Sequence, residues 1–536
     1  MLSLRPDLRV ALLPDGAVRL KQDGETLMDI AEDPLRGIIL ALLEGATTHS
    51  EITRSLIDMG IVVDTDFPSP RTPQFPYSLS DGGRPRIGPI SPCPRCFPAR
   101  RASHHPPADD GDLVPALCEA RVLAAAANVS PGEWIGLDAC GENPRVHYYS
   151  GLPDCDRCPM RAEALVDPAS GIFESVEIRR ETNFYHAVAQ ACDVSVFAPN
   201  WNVRVSGGVA ATEEDARWKA LGEGLERYCA ALAVLRASPP TAWRKLTRPA
   251  LRPAEIPLFS VAQYRSEHFP YAPFTDDTPV RWITARAIDG AEILVPLALV
   301  ALPYEPAAPE PCIAPYLSHG LACGRSVEEA TTAALCELVE RHAFTVFWMR
   351  GEPARRVSWT AHVTDLAREI SDRNWQVTVY DLRREISLPT FLAVGRAEFP
   401  MFWIGAGAAE DPVDALRRAL LELLQNHAWL VSATALHTDA PQDFEAHGMW
   451  YARDPARVAR LSFLDGGPEI DLPTRTPWRE SLMHFVCDLT TPDVAAAGCH
   501  VVRVLAPPLV RLHVDHPFRG HPMLASADNP LPHPFP

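Results

Sequence analysis

Lysine is almost missing from this chain: only Lys21, Lys219 and Lys245 stand among its 50 basic residues. No G-x-x-x-x-G-K-[ST] loop occurs and no glycine loop precedes Lys219, so a nucleotide here is not held by a P-loop. Positive charge in general is short. The net charge of −18 speaks against a nucleic-acid partner and against adsorption to an anionic membrane. No apolar run approaches the roughly 20 residues of a spanning helix, so no membrane is expected. The start, Met1-Leu2-Ser3-Leu4-Arg5-Pro6, lacks a basic stretch followed by an apolar one. No signal peptide is read, and a cytoplasmic location is expected. In that compartment 13 cysteines are not a disulfide framework.

What is present is length and apolar substance: 536 residues, 47% of them hydrophobic. That is enough for a large core and too long for one average domain. Residues 1–66 read as a small module. Leu8 to Leu13 and Ala17 to Leu20 flank a Pro14-Asp15-Gly16 turn and predict a hairpin. A helix is expected from Asp33-Pro34 to Glu44, and a second from Thr48 with Glu51 closing a capping box. Strands followed by two short helices resemble a winged helix. With 6 basic against 12 acidic residues, DNA reading is the weaker interpretation. The module is more like a leader-peptide recognition element, where an extended peptide adds to a sheet edge. Residues 67–166 read as linker followed by a small zinc-binding region, and 167–536 as the main domain, in an α+β fold of mixed sheets and packed helices.

Two CxxC pairs, Cys93/Cys96 and Cys155/Cys158, fall in the middle region. Four thiolates in two knuckles form the closed tetrahedral set of a structural Zn2+ site. A redox site needs one such pair rather than two.

The most informative feature is one helix pattern written three times. Thr212, Ser326 and Asp411 each stand as N-cap with an acid three residues on. Alanines follow at offsets four and eight: Ala216 and Ala220, Ala330 and Ala334, Ala415 and Ala419. Acids follow at offset eleven, Glu223, Glu337 and Glu422, and at offset fourteen come Glu226, Glu340 and Gln425. Arg227 and Arg341 come next in the first two copies. A glycine-bearing turn precedes each helix. Any one copy reads as a solvated helix with ordinary surface glutamates. Three copies, with the acids set among core-type leucines, read differently, because acids repeated on half-buried helices repel unless a cation holds them. Mg2+ takes oxygen ligands and often bridges to phosphates, so if ATP binds here it binds through carboxylate-held Mg2+ rather than a P-loop.

These helices resemble those of the YcaO family. The resemblance rests on Gly222-Glu223-Gly224-Leu225-Glu226-Arg227-Tyr228, and on Ser318-His319-Gly320-Leu321-Ala322-Cys323-Gly324 leading to Glu337-Leu338-Val339-Glu340-Arg341. Asp381-Leu382 with Leu388-Pro389, and Gly405-Ala406-Gly407 leading to Glu422 and Gln425, extend it over roughly residues 170–536. The ending Asn529-Pro530-Leu531-Pro532-His533-Pro534-Phe535-Pro536 is similar to the proline-rich tail of the azoline-forming branch. The region before the second cysteine pair, Tyr148 to Asp154, resembles the zinc-bearing end of a shortened ThiF-like domain. The chain departs from many members in two places: Ser206-Gly207-Gly208-Val209 carries no lysine, and His319 stands where Asn is common.

The resemblance implies an ATP-dependent cyclodehydratase. It closes Cys, Ser or Thr of a ribosomal precursor peptide onto the backbone as thiazoline or oxazoline, through phosphorylation of the amide oxygen. Glu223, Glu226, Arg227, Ser318, His319, Glu337, Glu340, Arg341, Glu422 and Gln425 are then the ATP and Mg2+ site, and Pro532, Pro534 and Pro536 act at the catalytic centre. A homodimer and a separate leader-binding protein are expected partners. The rival readings are thioamide or amidine formation by the same family, and a non-catalytic leader-binding scaffold. His513, Asp515 and His516 are read as loop or core residues.

Overall fold

The computed structural model describes residues 160–535, apart from 181–183, 197–203, 433–440, 442–443, 476, 479–481 and 528. Before residue 160 it describes only the backbone of nine short strands. The chain forms two compact units, Met1–Ser175 and Val176–Pro536.

In the first unit, Leu8–Leu12, Val18–Gln22 and Glu25–Ile30 make an antiparallel three-stranded sheet. Leu12 pairs with Val18, as the expected hairpin requires of its strands. Leu2–Leu4 pairs with Val62–Asp64. The stretch read as linker needs correction. Tyr77–Leu79 and Pro85–Ile87 are strands in a four-stranded sheet with Glu133–Gly136 and Arg145–Tyr148. Three-residue strands on either side of Gly82-Gly83, one of them opening on proline, are too short to show alternation. The two helices expected in residues 1–66 and all four CxxC cysteines lie outside the described residues.

The main part of the chain is an α+β fold. Along it come β1 (Phe173–Arg180, in which the division of units falls), β2 (Tyr185–Ala191), β3 (Val205–Ala210) and helix α1 (Glu213–Leu232). Next are β4 (Trp282–Ala287), β5 (Glu292–Pro296), β6 (Leu321–Gly324) and α2 (Val327–Arg350). Then follow β7 (Arg355–Val357), β8 (Gln376–Asp381), β9 (Thr390–Arg396), β10 (Trp403–Ala408) and α3 (Pro412–Ser432). β11 (Glu469–Ile470), β12 (Phe485–Asp488) and β13 (His500–Leu505) complete three sheets. Their strand orders are β1-β2-β3, β5-β4-β12-β13-β6 and β10-β9-β8-β7-β11. No helix among the described residues is long and apolar enough to cross a membrane.

The repeated helices start as their sequences dictate. Thr212 accepts from the Asp215 amide at 3.1 Å, Ser326 from Glu329 at 3.1 Å, and Asp411 from Val413 and Asp414 at 2.8 and 3.1 Å. In the second copy Glu329 reaches back to the Arg325 amide at 3.0 Å, one residue outside the ordinary box. The paired alanines let each helix lie directly on the strand before it. A Cβ on Gly208 would strike the Ala216 carbonyl and the Ala220 nitrogen; one on Gly407 would strike the same atoms of Ala415 and Ala419.

β10 is buried throughout, and its two faces serve different cores, as the period of a strand requires. Trp403 joins Leu416, Leu420 and Leu423 of α3. Ile404 and Ala406 join Phe344, Phe347 and Trp348 of α2. Each helix also touches the strand of the next copy: α1 meets β6, α2 meets β10, and α3 returns to β3. The three strand–helix pairs therefore form a closed round.

Candidate nucleotide and catalytic site

The offset-eleven acids all turn inward to the strand or turn of their own copy. Glu223 accepts from the Gly207 amide at 2.8 Å, Glu337 from Gly320 at 2.8 Å and Glu422 from Ala406 at 2.5 Å. The offset-fourteen acids reach into the next copy. Glu226 accepts from the Cys323 amide of β6 at 2.9 Å, and Glu340 from the Ala408 amide of β10. Gln425, the third member, is exposed.

Crowding shows in the electrostatics. Burial first, then Glu337 and Glu223, hold the Glu226 carboxyl well above the ordinary carboxylate range. Burial raises Glu337 and Glu422 as well, and lifts Glu340 to about 7, with Glu422 adding to that rise. Four cations face these acids. Arg227 pairs with Glu223 at 2.5 Å. Lys219 donates to the Val209 carbonyl at 2.8 Å, and Arg418 to Ala408 at 3.3 Å. Arg341 stands 3.8 Å from Glu337 and 3.6 Å from Glu340, with its buried Nε and Nη1 making no hydrogen bond.

Lys219 and Arg418 were not picked out from the sequence, although both sit at offset seven and bind the residue three before the N-cap. Arg503 was missed too. It is fully buried and donates to the carbonyls of Val300, Leu317 and His319 at 3.1, 2.6 and 2.6 Å. It clamps the Ser318-His319-Gly320 turn, in which Gly320 takes φ 75°. A lone arginine in the apolar run His500-Val501-Val502-Arg503-Val504-Leu505 was the available signal. Ser318 is exposed and His319 buried. Burial, with Arg341 next, keeps the His319 ring neutral by pushing its pKa well down. Asp381 is fully buried and pairs with Arg355 and Arg383 at 2.8 and 2.9 Å, a structural duty.

The tail is docked. Leu531 O accepts from Trp348 Nε1 at 3.0 Å and Pro532 O from the Tyr451 hydroxyl at 2.7 Å. His533 uses one ring nitrogen on His513 O at 2.6 Å and accepts from the Phe535 amide at 3.2 Å on the other. His447 stacks on it at 3.9 Å and holds His533 O and Val514 O, each at 2.7 Å. Phe535 packs edge-on against Phe344 at 4.9 Å and lies 3.8 Å beneath the Arg341 guanidinium. Pro534 is buried; Pro536, one residue on, lies outside the described residues. Asp515 accepts from the Tyr271 hydroxyl at 3.1 Å.

Among the described residues no three His, Cys, Asp or Glu side chains stand close enough to hold a metal ion alone. Mg2+ with a nucleotide does not need such a cage, since one or two carboxylates and the phosphates suffice. Acids pushed toward protonation beside an arginine with open donors fit that arrangement.

The fold is a round of strand–helix units in which carboxylates and guanidiniums face one another. The family model of YcaO cyclodehydratases, ATP- and Mg2+-binding, matches residues 207–510. The chain belongs to the YcaO family and is an ATP-dependent cyclodehydratase of that type, which removes the non-catalytic scaffold reading. An uncharacterized protein of Methanothermobacter thermautotrophicus is 28% identical over 349 residues, 58% of this chain and 83% of that one. An uncharacterized protein in the tfuA 3′ region of Rhizobium leguminosarum bv. trifolii is 27% identical over 173 residues, 29% and 41% of the two chains. The fold is shared with a heterocyclase solved in complex with substrate and cofactor (TM-score 0.64) and with the heterocyclase TruD (TM-score 0.56). Each is 16% identical and matched over 100% of both chains.

Proposed function

We propose that the protein closes Cys, Ser or Thr side chains of a ribosomal precursor peptide onto the preceding carbonyl, forming thiazolines or oxazolines at the expense of ATP. The observation that supports this best is Arg341. Its open donors stand between Glu337 and Glu340, and the tail's Phe535 closes its other face. Bound Mg2+·ATP supplies the phosphoryl group that makes an amide oxygen a leaving group. Glu226 and Glu340 hold the metal, while Arg341 and Arg227 orient phosphate. Glu223, Glu337 and Glu422 fix the strands and turns under it. The segment before α1 lacks a lysine, and Lys219 brings its ammonium to Val209 in β3. We assign it the missing phosphate-side charge.

The tail, through Pro532, Pro534 and Pro536, forms a wall of the reaction chamber. Proline there leaves no amide donors to compete for substrate and little backbone freedom to lose. Cys93, Cys96, Cys155 and Cys158 hold a structural Zn2+, which metal analysis of the purified full chain tests; absence of zinc from folded protein refutes it. The first 66 residues bind the leader, alone or with a separate partner protein, in a cytoplasmic homodimer.

Mass spectrometry of candidate precursor peptides, incubated with the full chain, ATP and Mg2+, tests the reaction. Loss of one water per ring is expected. A gain of sulfur instead would assign thioamide formation and refute the azoline reading.

A further inference from the structure

A cavity of about 50 Å³ lies against the site. One wall is the clamped turn at His319, and another is Leu338, which sits beside Glu337 on α2. Most of the lining is aliphatic or proline: Leu251, Ile256, Leu299, Val504, Pro507 and Leu509 are typical. One cation enters this apolar space. Arg511 is half-buried, its buried Nη1 has no hydrogen-bond partner, and Phe518 is the ring facing it, 5.7 Å from Cζ. The segment carrying Arg511 is fixed from α2, where His342 Nδ1 accepts from the Val510 amide at 2.9 Å. The other polar lining groups are neutral rings. Burial pushes the pKa of both His319 and His521 down.

A buried guanidinium nitrogen without an acceptor is costly unless a ligand supplies one. An apolar chamber suits a peptide better than a triphosphate. We propose that this cavity is the subsite for the reacting peptide carbonyl, and that Arg511 binds the oxyanion formed there. The assignment rests on the reaction proposed above and names its substrate side. In the step, the thiol sulfur or the hydroxyl oxygen gives its electron pair to the carbonyl carbon and its proton to solvent. The C=O π pair moves to oxygen, and Arg511 donates hydrogen bonds to that oxyanion. The same oxygen then attacks the γ-phosphorus of ATP as the bond to ADP breaks. His319 forms the wall between the two halves of the site, on the peptide side.

The test uses a probe that carries the charge: N-acetyl-alanyl-cysteine methylamide with a phosphinate replacing the alanyl carbonyl. Its binding to the full chain is compared in the wild type, Arg511→Lys and Arg511→Met, with Mg2+·ATP binding as the check on folding. The phosphinate should bind the wild type alongside Mg2+·ATP. Its affinity should fall about 10- to 100-fold in Arg511→Met, with partial recovery in Arg511→Lys. Should Arg511→Met fail to bind Mg2+·ATP, Arg511→Lys alone carries the comparison. No binding to the wild type, equal binding to wild type and variants, or displacement by Mg2+·ATP would each overturn the assignment. Finding a thioamide product would refute the azoline reading and leave this result standing, since both reactions begin with addition at the carbonyl.

Discussion

Glu223, Glu337 and Glu422 behave alike in all three copies of the repeat, each taking an amide of its own strand or turn. One turn further along, the copies diverge. Glu226 and Glu340 cross to the next copy, while Gln425 is exposed. The shared position ties each helix to its own copy, and the divergent one holds the carboxylates proposed above for the metal. The round has three-part construction, but only α1 and α2 carry a glutamate at offset fourteen.

The largest effect that would break this comparison lies at the strand glycines. Gly407→Ala forces a methyl into the backbone of α3 at Ala415 and Ala419. It should destabilise by at least the ~1–3 kcal/mol of an overpacked core, because backbone cannot step aside as a side chain does. Gly207→Ala meets nothing nearer than 3.9 Å and should leave the melting temperature nearly unchanged. Paired thermal melts of the two variants check this. Equal stability in both would mean that the helices do not rest on their strands as described.

A smaller effect sharpens the chemical half. Burial lifts Glu340 to about 7 from an ordinary 4.5, so the folded, nucleotide-free protein binds a proton that the unfolded chain gives up earlier. Stability from this group is full below about pH 4.5 and is lost as pH rises through about 7. Mg2+ needs the carboxylate, so affinity for Mg2+·ATP should rise over the pH range where apo stability falls. Titrations from pH 6 to 8 should show that rise in the wild type and a flatter profile in Glu340→Gln. An identical profile in the two proteins would remove Glu340 from the metal.

Much of this was legible in the chain because it is written three times. Spacing alone identified the capped helices, the alanine faces and the acids, since helix geometry converts sequence offsets directly into shared faces. The closed round was not legible, because the contacts of Glu226 with Cys323 and of Glu340 with Ala408 join segments that no local period connects. Arg503 and Arg511 escaped for the same reason: each acts on a turn or cavity built elsewhere in the sequence. The tail's stiffness was readable from its prolines. Its anchorage was not, since that depends on Trp348, Tyr451 and His447 from three separate stretches. Phe535 also makes the tail part of the core, so its removal costs packing as well as any part in catalysis.

The most direct test is nucleotide binding with and without Mg2+, measured by calorimetry on the wild type, Glu226→Gln, Glu340→Gln and Gln425→Ala. The account predicts that both glutamine variants keep their melting temperature and lose the Mg2+-dependent part of ATP affinity, about 10-fold or more for a lost charged ligand, while Gln425→Ala binds as the wild type does. Undiminished Mg2+·ATP binding by Glu226→Gln and Glu340→Gln would contradict it.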